Sequence, residues 1–177
     1  AYLAGFFGRV RGEQSGVPAD VDYRAVPGVY PAAGLYDDKS KTPYILRTKS
    51  NSGGAGILPL ITSNMVRFWK VEAELAYGFG SPRTDAEAAV RESISNVVSF
   101  GLSKDAANAK APASADIDAY VNKFLADYDA APTNEAKLNK VLYEAWFAGY
   151  GNGAEMYNAQ RRTGYPNNVL APLVLYT

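Results

Sequence analysis

The run LYEAWFAGYGNGAEMYNAQRRTGYP, from Leu142 to Pro166, limits the possible folds of this chain more than any other segment. Its first half continues an apolar helical pattern until the closely spaced glycines of GYGNG loosen the backbone. Ala154 to Arg162 then predicts a further helix, because Gly164 favours a left-handed cap and Pro166 prevents continuation. The run therefore predicts two helices that are joined by a glycine-rich turn.

Helical patterns extend back along the chain as far as Thr62. We expect Ser63 or Asn64 to cap a first helix that ends near Tyr77. In the next segment Thr84 and Glu87 have capping-box spacing, and Gly101 is predicted to stop the helix that they begin.

A third helix has the most regular amphipathic spacing, and Thr133 is predicted to cap a fourth helix that leads into the opening run. The apolar stripe of the third helix is Ile117, Tyr120, Val121, Phe124, Leu125 and Tyr128.

The first third of the chain is different, because glycine, proline and tyrosine interrupt every pattern there. We therefore divide the chain into a loop-rich segment, 1–61, and an α-helical scaffold, 62–177. Loops carry many binding groups, so the first segment is a possible ligand-facing part. The predicted fold class is mainly α.

Composition excludes several functions. The chain has no cysteine and no histidine, which removes thiolate metal sites, cysteine nucleophiles and the usual proton shuttle. Eighteen basic and eighteen acidic residues give a net charge of zero, so no basic surface favours nucleic acid. Most hydrolytic machinery is therefore unavailable, and we expect no cofactor and no metal site.

Three segments together resemble a known family. The segments VPGVYPAAGLYD, ITSNMVRFWKVEAELAYG and GNGAEMYNAQRRTGYP resemble, in this order along the chain, segments of the SusD-like (SusD/RagB) outer-membrane nutrient-binding lipoproteins of Bacteroidetes. Tyr157 and Ala159 depart from the pattern, since relatives often carry tryptophan and an acid there.

The resemblance implies the C-terminal part of a larger SusD-like domain with a tetratricopeptide-like helical-hairpin scaffold. It further implies a surface-exposed lipoprotein whose lipid anchor, its only link to the membrane, lies outside this chain. In polysaccharide utilisation such a protein is not an enzyme: it binds glycan without cleaving it and delivers it to a TonB-dependent SusC-like transporter. Three alternatives remain open: a peptide-binding RagB-type protein, a helical-repeat adaptor that binds other proteins, and, in third place, a hydrolase.

Glu72 is predicted to lie on the apolar stripe of the first helix, where a carboxylate needs a partner. Arg161 or Arg162 is the expected partner, in a structural ion pair between the first and the last helix. A catalytic pair with Glu74 is less favoured, because residues two apart on a helix point roughly 200° apart.

Four tyrosines in the loop-rich segment are predicted to bind carbohydrate. A tyrosine ring offers a flat apolar face to the C–H side of a sugar, and its hydroxyl offers a hydrogen bond. A purely structural role for each ring is the alternative. The residues are Tyr23, Tyr30, Tyr36 and Tyr44.

Overall fold

The computed structural model describes residues 59–104 and 111–168, in which every regular element is an α-helix. The five helices are α1 (Ser63–Tyr77), α2 (Pro82–Lys104), α3 (Ser114–Asp129), α4 (Asn134–Ala148) and α5 (Gly153–Thr163). The mainly α fold class is thereby confirmed, while the tetratricopeptide-like arrangement stays a prediction. Nearly all of the segment 1–61 lies outside the described residues.

Leu58–Asn96 and Pro112–Asn168 form one compact unit, which we describe by itself. Within it α4 packs against α1, α3 and α5. Val71 of α1, Val121 of α3 and Val141 of α4 have no exposed surface, which places the apolar core around α4. No helix in the described ranges is both long enough and apolar enough to cross a bilayer.

The predicted stripe of α3 is the face that this helix buries. Val121, Phe124, Leu125 and Tyr128 are buried, and the first two positions of the stripe, Ile117 and Tyr120, are half-buried. Three- and four-residue spacing puts these side chains on one side of the helix, which explains why the pattern was readable.

The predicted start of α4 and the predicted end of α5 are also confirmed. Thr133 Oγ1 accepts a hydrogen bond from the Ala136 backbone N–H at 3.2 Å, so it caps α4. Gly164 adopts the left-handed conformation at φ 77° and closes α5. The helix predicted from Ala154 to Arg162 extends one residue further at each end.

The predicted cap of α1 is wrong. Thr62 is the cap residue, although its side chain makes no capping hydrogen bond. Ser63 instead directs its hydroxyl to Glu92 of α2, and Asn64 is buried with its side-chain oxygen 3.5 Å from Asn96 Nδ2. Both polar side chains therefore connect two helices, a use that local spacing does not reveal.

The predicted bounds of α2 are also wrong. The helix begins at Pro82, before Thr84, because the fixed φ of proline suits the first helical position. It continues through Gly101 to Lys104. A glycine inside a helix costs about 1 kcal/mol relative to alanine, which alone does not end a long helix.

Ion pairs connect α2 to its two sequence neighbours. Arg83 forms a bidentate ion pair with Asp129 of α3. Its Nε donates to Oδ1 at 2.8 Å and to Oδ2 at 3.0 Å, and its Nη2 donates to Oδ2 at 2.8 Å. Lys70 of α1 donates to Asp85 at 2.9 Å. These pairs are solvent-accessible, so they orient the helices more than they stabilise them.

Candidate ligand-binding cleft

An open cleft of about 370 Å³ lies between α1 and α5, inside the compact unit. This volume falls in the range of about 300–1,000 Å³ that is usual for small-molecule sites. The cleft is lined by Trp69, Glu72, Ala73, Ala76, Tyr77, Glu155 and Arg162. It therefore combines two aromatic rings, two small apolar side chains and three charged groups.

An ion pair between Glu72 and Arg162 forms one wall of the cleft. Arg162 donates from Nε to Glu72 Oε1 at 2.9 Å and from Nη2 to Glu72 Oε2 at 2.8 Å. This bond raises the pKa of the Arg162 guanidinium. The planar fork of arginine matches the two oxygens of a carboxylate, so the pair defines the position of α5 against α1.

Arg161, the other expected partner of Glu72, lies on a different side of α5. It is exposed and forms no ion pair with the residues that the structure describes. Successive residues on a helix are turned by about 100°, so only one of two adjacent arginines can face α1.

A second contact holds the beginning of α5. The indole Nε1 of Trp69 donates to Glu155 Oε1 at 2.7 Å. Asn152 accepts from the Glu155 backbone N–H at 3.1 Å, and its Nδ2 donates to the Leu60 carbonyl at 2.8 Å. The first turn of α5 is thus held by hydrogen bonds both to α1 and to the segment that precedes α1.

The floor and one end of the cleft leave apolar surface open to solvent. Ala73 and Ala76 fill little space between the helices. Tyr77, at the end of α1, is 81% exposed, and Trp69 is 37% exposed. The cleft therefore offers flat aromatic surface beside groups that donate and accept hydrogen bonds.

The buried carboxylate of α1 is Glu74, not Glu72 as the stripe predicted. Glu74 is 1% exposed, whereas the side chain of Glu72 is 17% exposed and faces the cleft. The buried face is centred on Val71, so that Trp69 lies at its border. The sequence placed this centre too far toward Trp69, because a tryptophan on an amphipathic helix usually indicates the core.

Glu74 belongs to a polar cluster that faces away from the cleft lining. Its Oε1 accepts from the Ser81 backbone N–H at 3.4 Å and lies 3.5 Å from Lys70 Nζ. Its Oε2 has no hydrogen-bond partner among the described residues. The Lys70 hydrogen bond lowers the pKa of Asp85, and burial partly opposes this shift.

A second buried carboxylate, Glu144, lies between α3 and α4. Tyr120 donates its hydroxyl to Glu144 Oε2 at 2.6 Å. Burial raises the pKa of Glu144, and the Tyr120 bond partly opposes the rise. Glu74 and Glu144 are both absent from the cleft lining, so neither can act on a ligand held there.

The two carboxylates of the cleft are both held by hydrogen bonds. Both oxygens of Glu72 are engaged by Arg162, and Glu155 accepts from Trp69. A pair of carboxylates that cleaves a glycosidic bond needs one protonated acid and one free base or nucleophile. Within residues 59–104 and 111–168 no three potential metal-binding side chains form a cluster.

Tyr23, Tyr30, Tyr36 and Tyr44 lie outside the described residues, so their carbohydrate-binding role stays a prediction. The sequence reasoning did not single out Trp69, Tyr77 or Glu155 as binding residues. One signal was present: Trp69 and Tyr77 are eight residues apart, a spacing that puts two aromatic rings on similar sides of a helix.

Comparison with known proteins identifies a family. The model of the SusD-like family, described as Susd and RagB outer membrane lipoprotein, matches residues 35–173. The match contains all five helices and therefore the whole cleft. No curated protein and no solved structure matches the chain significantly.

Proposed function

The chain belongs to the SusD-like family of outer-membrane nutrient-binding lipoproteins, and from this premise we propose that it captures glycan without cleaving it. The family is one of binding proteins and lies at the outer membrane. The family match over residues 35–173 is the observation that carries the proposal.

We further propose that the protein is exposed on the cell surface and passes its glycan to a TonB-dependent SusC-like transporter. Capture would use aromatic stacking and hydrogen bonds at Tyr23, Tyr30, Tyr36 and Tyr44. The zero net charge of the chain supports a neutral ligand, because it supplies no general attraction for polyanions.

The proposal is tested by calorimetric titration of the full chain with neutral oligosaccharides, followed by product analysis of the same mixtures. We expect saturable binding and complete recovery of uncut oligosaccharide. Shortened products would contradict a non-enzymatic role, and the absence of any binding would contradict glycan capture.

A peptide ligand is the second candidate, because two glutamates, Glu72 and Glu155, line the described cleft. Acidic side chains attract the basic groups of a peptide, although Arg162 already neutralises one of them. Titration with lysine-rich peptides separates the two candidates. Peptides that bind more tightly than every oligosaccharide would favour this second function.

A further inference from the structure

We infer that the cleft between α1 and α5 is a binding site for neutral sugar rings, separate from the four predicted tyrosines. The inference rests on the proposed function, because it names where part of a captured glycan would lie. Four observations carry it: the exposed aromatic rings, the fixed indole, the remaining hydrogen-bonding groups and the charge balance.

Two aromatic rings lie along the cleft at the spacing of a short oligosaccharide. Eight residues separate Trp69 from Tyr77, which corresponds to about 12 Å along the axis of α1. Ala73 and Ala76 lie between them and leave room over the helix, while the Glu72–Arg162 pair borders the same stretch. This length suits two or three linked rings whose apolar faces pack on the aromatic side chains.

The ring of Trp69 is held in place before any ligand binds. The hydrogen bond from its Nε1 to Glu155 fixes the orientation of the indole, and the part of the ring that stays exposed lines the cleft. A platform that is already ordered loses little conformational freedom on binding, which favours affinity. Tyr77 makes no hydrogen bond or ring contact with the described residues, so its ring is accessible.

The polar groups of the cleft fit the hydroxyls of a sugar. The fork of Arg162 uses Nε and Nη2, so the N–H groups of Nη1 can donate to a hydroxyl oxygen. Glu155 uses Oε1 for Trp69 and keeps Oε2 as an acceptor for a hydroxyl O–H. A hydroxyl both donates and accepts, so one sugar can satisfy both groups.

The charge balance selects a neutral sugar over an acidic one. Arg162 offsets the charge of Glu72, which leaves Glu155 as the unbalanced charge of the cleft. A uronate or sulfate group would lie close to this carboxylate and be repelled by it. The ligand class that fits is therefore a neutral oligosaccharide.

The test uses tryptophan fluorescence, because the chain contains only two tryptophans. Trp146→Phe makes Trp69 the sole reporter in the full chain. The probes are maltohexaose, cellohexaose, xylohexaose and mannohexaose, with hexagalacturonate as the acidic comparison. We expect at least one neutral probe to change the emission of Trp69 and to bind about tenfold more tightly than hexagalacturonate.

Calorimetry with variants of the otherwise unaltered chain supplies the second measurement. Trp69→Ala and Tyr77→Ala are each expected to weaken binding of that probe by about tenfold. Tyr77 is exposed, so its substitution leaves the core intact. Tyr157→Ala is the matched control, since Tyr157 is 60% exposed on α5 and does not line the cleft.

The outcomes separate this inference from the proposed function. If a neutral probe binds and both cleft variants bind it as tightly as the wild type, the inference is overturned and glycan capture stands. Tighter binding of hexagalacturonate would overturn the neutral class. If the wild-type chain binds none of the probes, both proposals fail.

Discussion

The carboxylate of Glu74 lies against the α-carbon of Gly80, so closely that a Cβ at Gly80 would come within 2.1 Å of Glu74 Oε1. Gly80 also has a φ of +69°, in the left-handed region that disfavours a side chain. The turn between α1 and α2 thus folds directly onto a buried acid, and two independent reasons require glycine at this position.

Substitution of two neighbouring glycines should therefore have unequal effects on stability. Gly78 has a similar φ of +70°, but a Cβ there would meet nothing within 4 Å. We expect Gly78→Ala to lower the free energy of unfolding by about 1 kcal/mol, from backbone strain alone. Gly80→Ala should lower it by about 3 kcal/mol, because the clash with Glu74 adds to that strain. Equilibrium urea unfolding measures both, and equal losses would contradict the contact.

Arg162→Ala should destabilise the protein more than Arg161→Ala does. Loss of the two hydrogen bonds to Glu72 is expected to lower the free energy of unfolding by about 1 kcal/mol. The value is modest because solvent screens the half-exposed guanidinium. Arg161→Ala should change the free energy of unfolding by less than about 0.5 kcal/mol.

A double-mutant cycle with Glu72→Gln isolates the coupling between Glu72 and Arg162. The coupling energy should decrease at high salt, since part of it is electrostatic. A coupling energy of zero at low salt would show that the ion pair does not hold α5.

Glu144 should make the protein less stable as pH rises. Burial raises the pKa of Glu144 in the folded state above its ordinary value of 4.5, so the folded protein holds its proton where the unfolded chain releases it. Stability should therefore fall as pH rises from about 4.5 toward the folded-state pKa.

Glu144→Gln should remove this part of the pH dependence, and Tyr120→Phe should enlarge it, because the Tyr120 hydroxyl lowers the pKa of Glu144. Unfolding free energies from pH 4 to about pH 8 test the slope, and carbon-detected NMR titration measures the pKa. A Glu144 carboxyl that titrates below its ordinary value would refute this account.

The two threonines at helix starts should respond differently to alanine. Thr133→Ala removes a capping hydrogen bond from α4 and should cost about 1 kcal/mol. Thr62 makes no such bond, and its Oγ1 is buried without a hydrogen-bond partner among the described residues. Thr62→Ala should therefore be close to neutral, since it removes an unsatisfied polar atom. Thermal unfolding of the two variants side by side checks the difference.

Features that depend on neighbours in the chain were predictable from the sequence. The stripe of α3 follows from regular spacing, and the end of α5 follows from Gly164 and Pro166. The cap at Thr133 likewise needs only the backbone N–H of a residue three positions away. Such features arise from helical geometry and from backbone conformations that each residue type allows.

Sequence patterns by themselves determined that the described part of the chain is helical and where most of its helices end. Only the tertiary structure decided that Glu74 is buried while Glu72 faces a cleft. It also decided that Arg162 rather than Arg161 binds Glu72, and that part of the Trp69 side chain is exposed to solvent. The reason is physical: helical periodicity defines the faces of a helix, but which face is buried depends on contacts with helices far away in the chain.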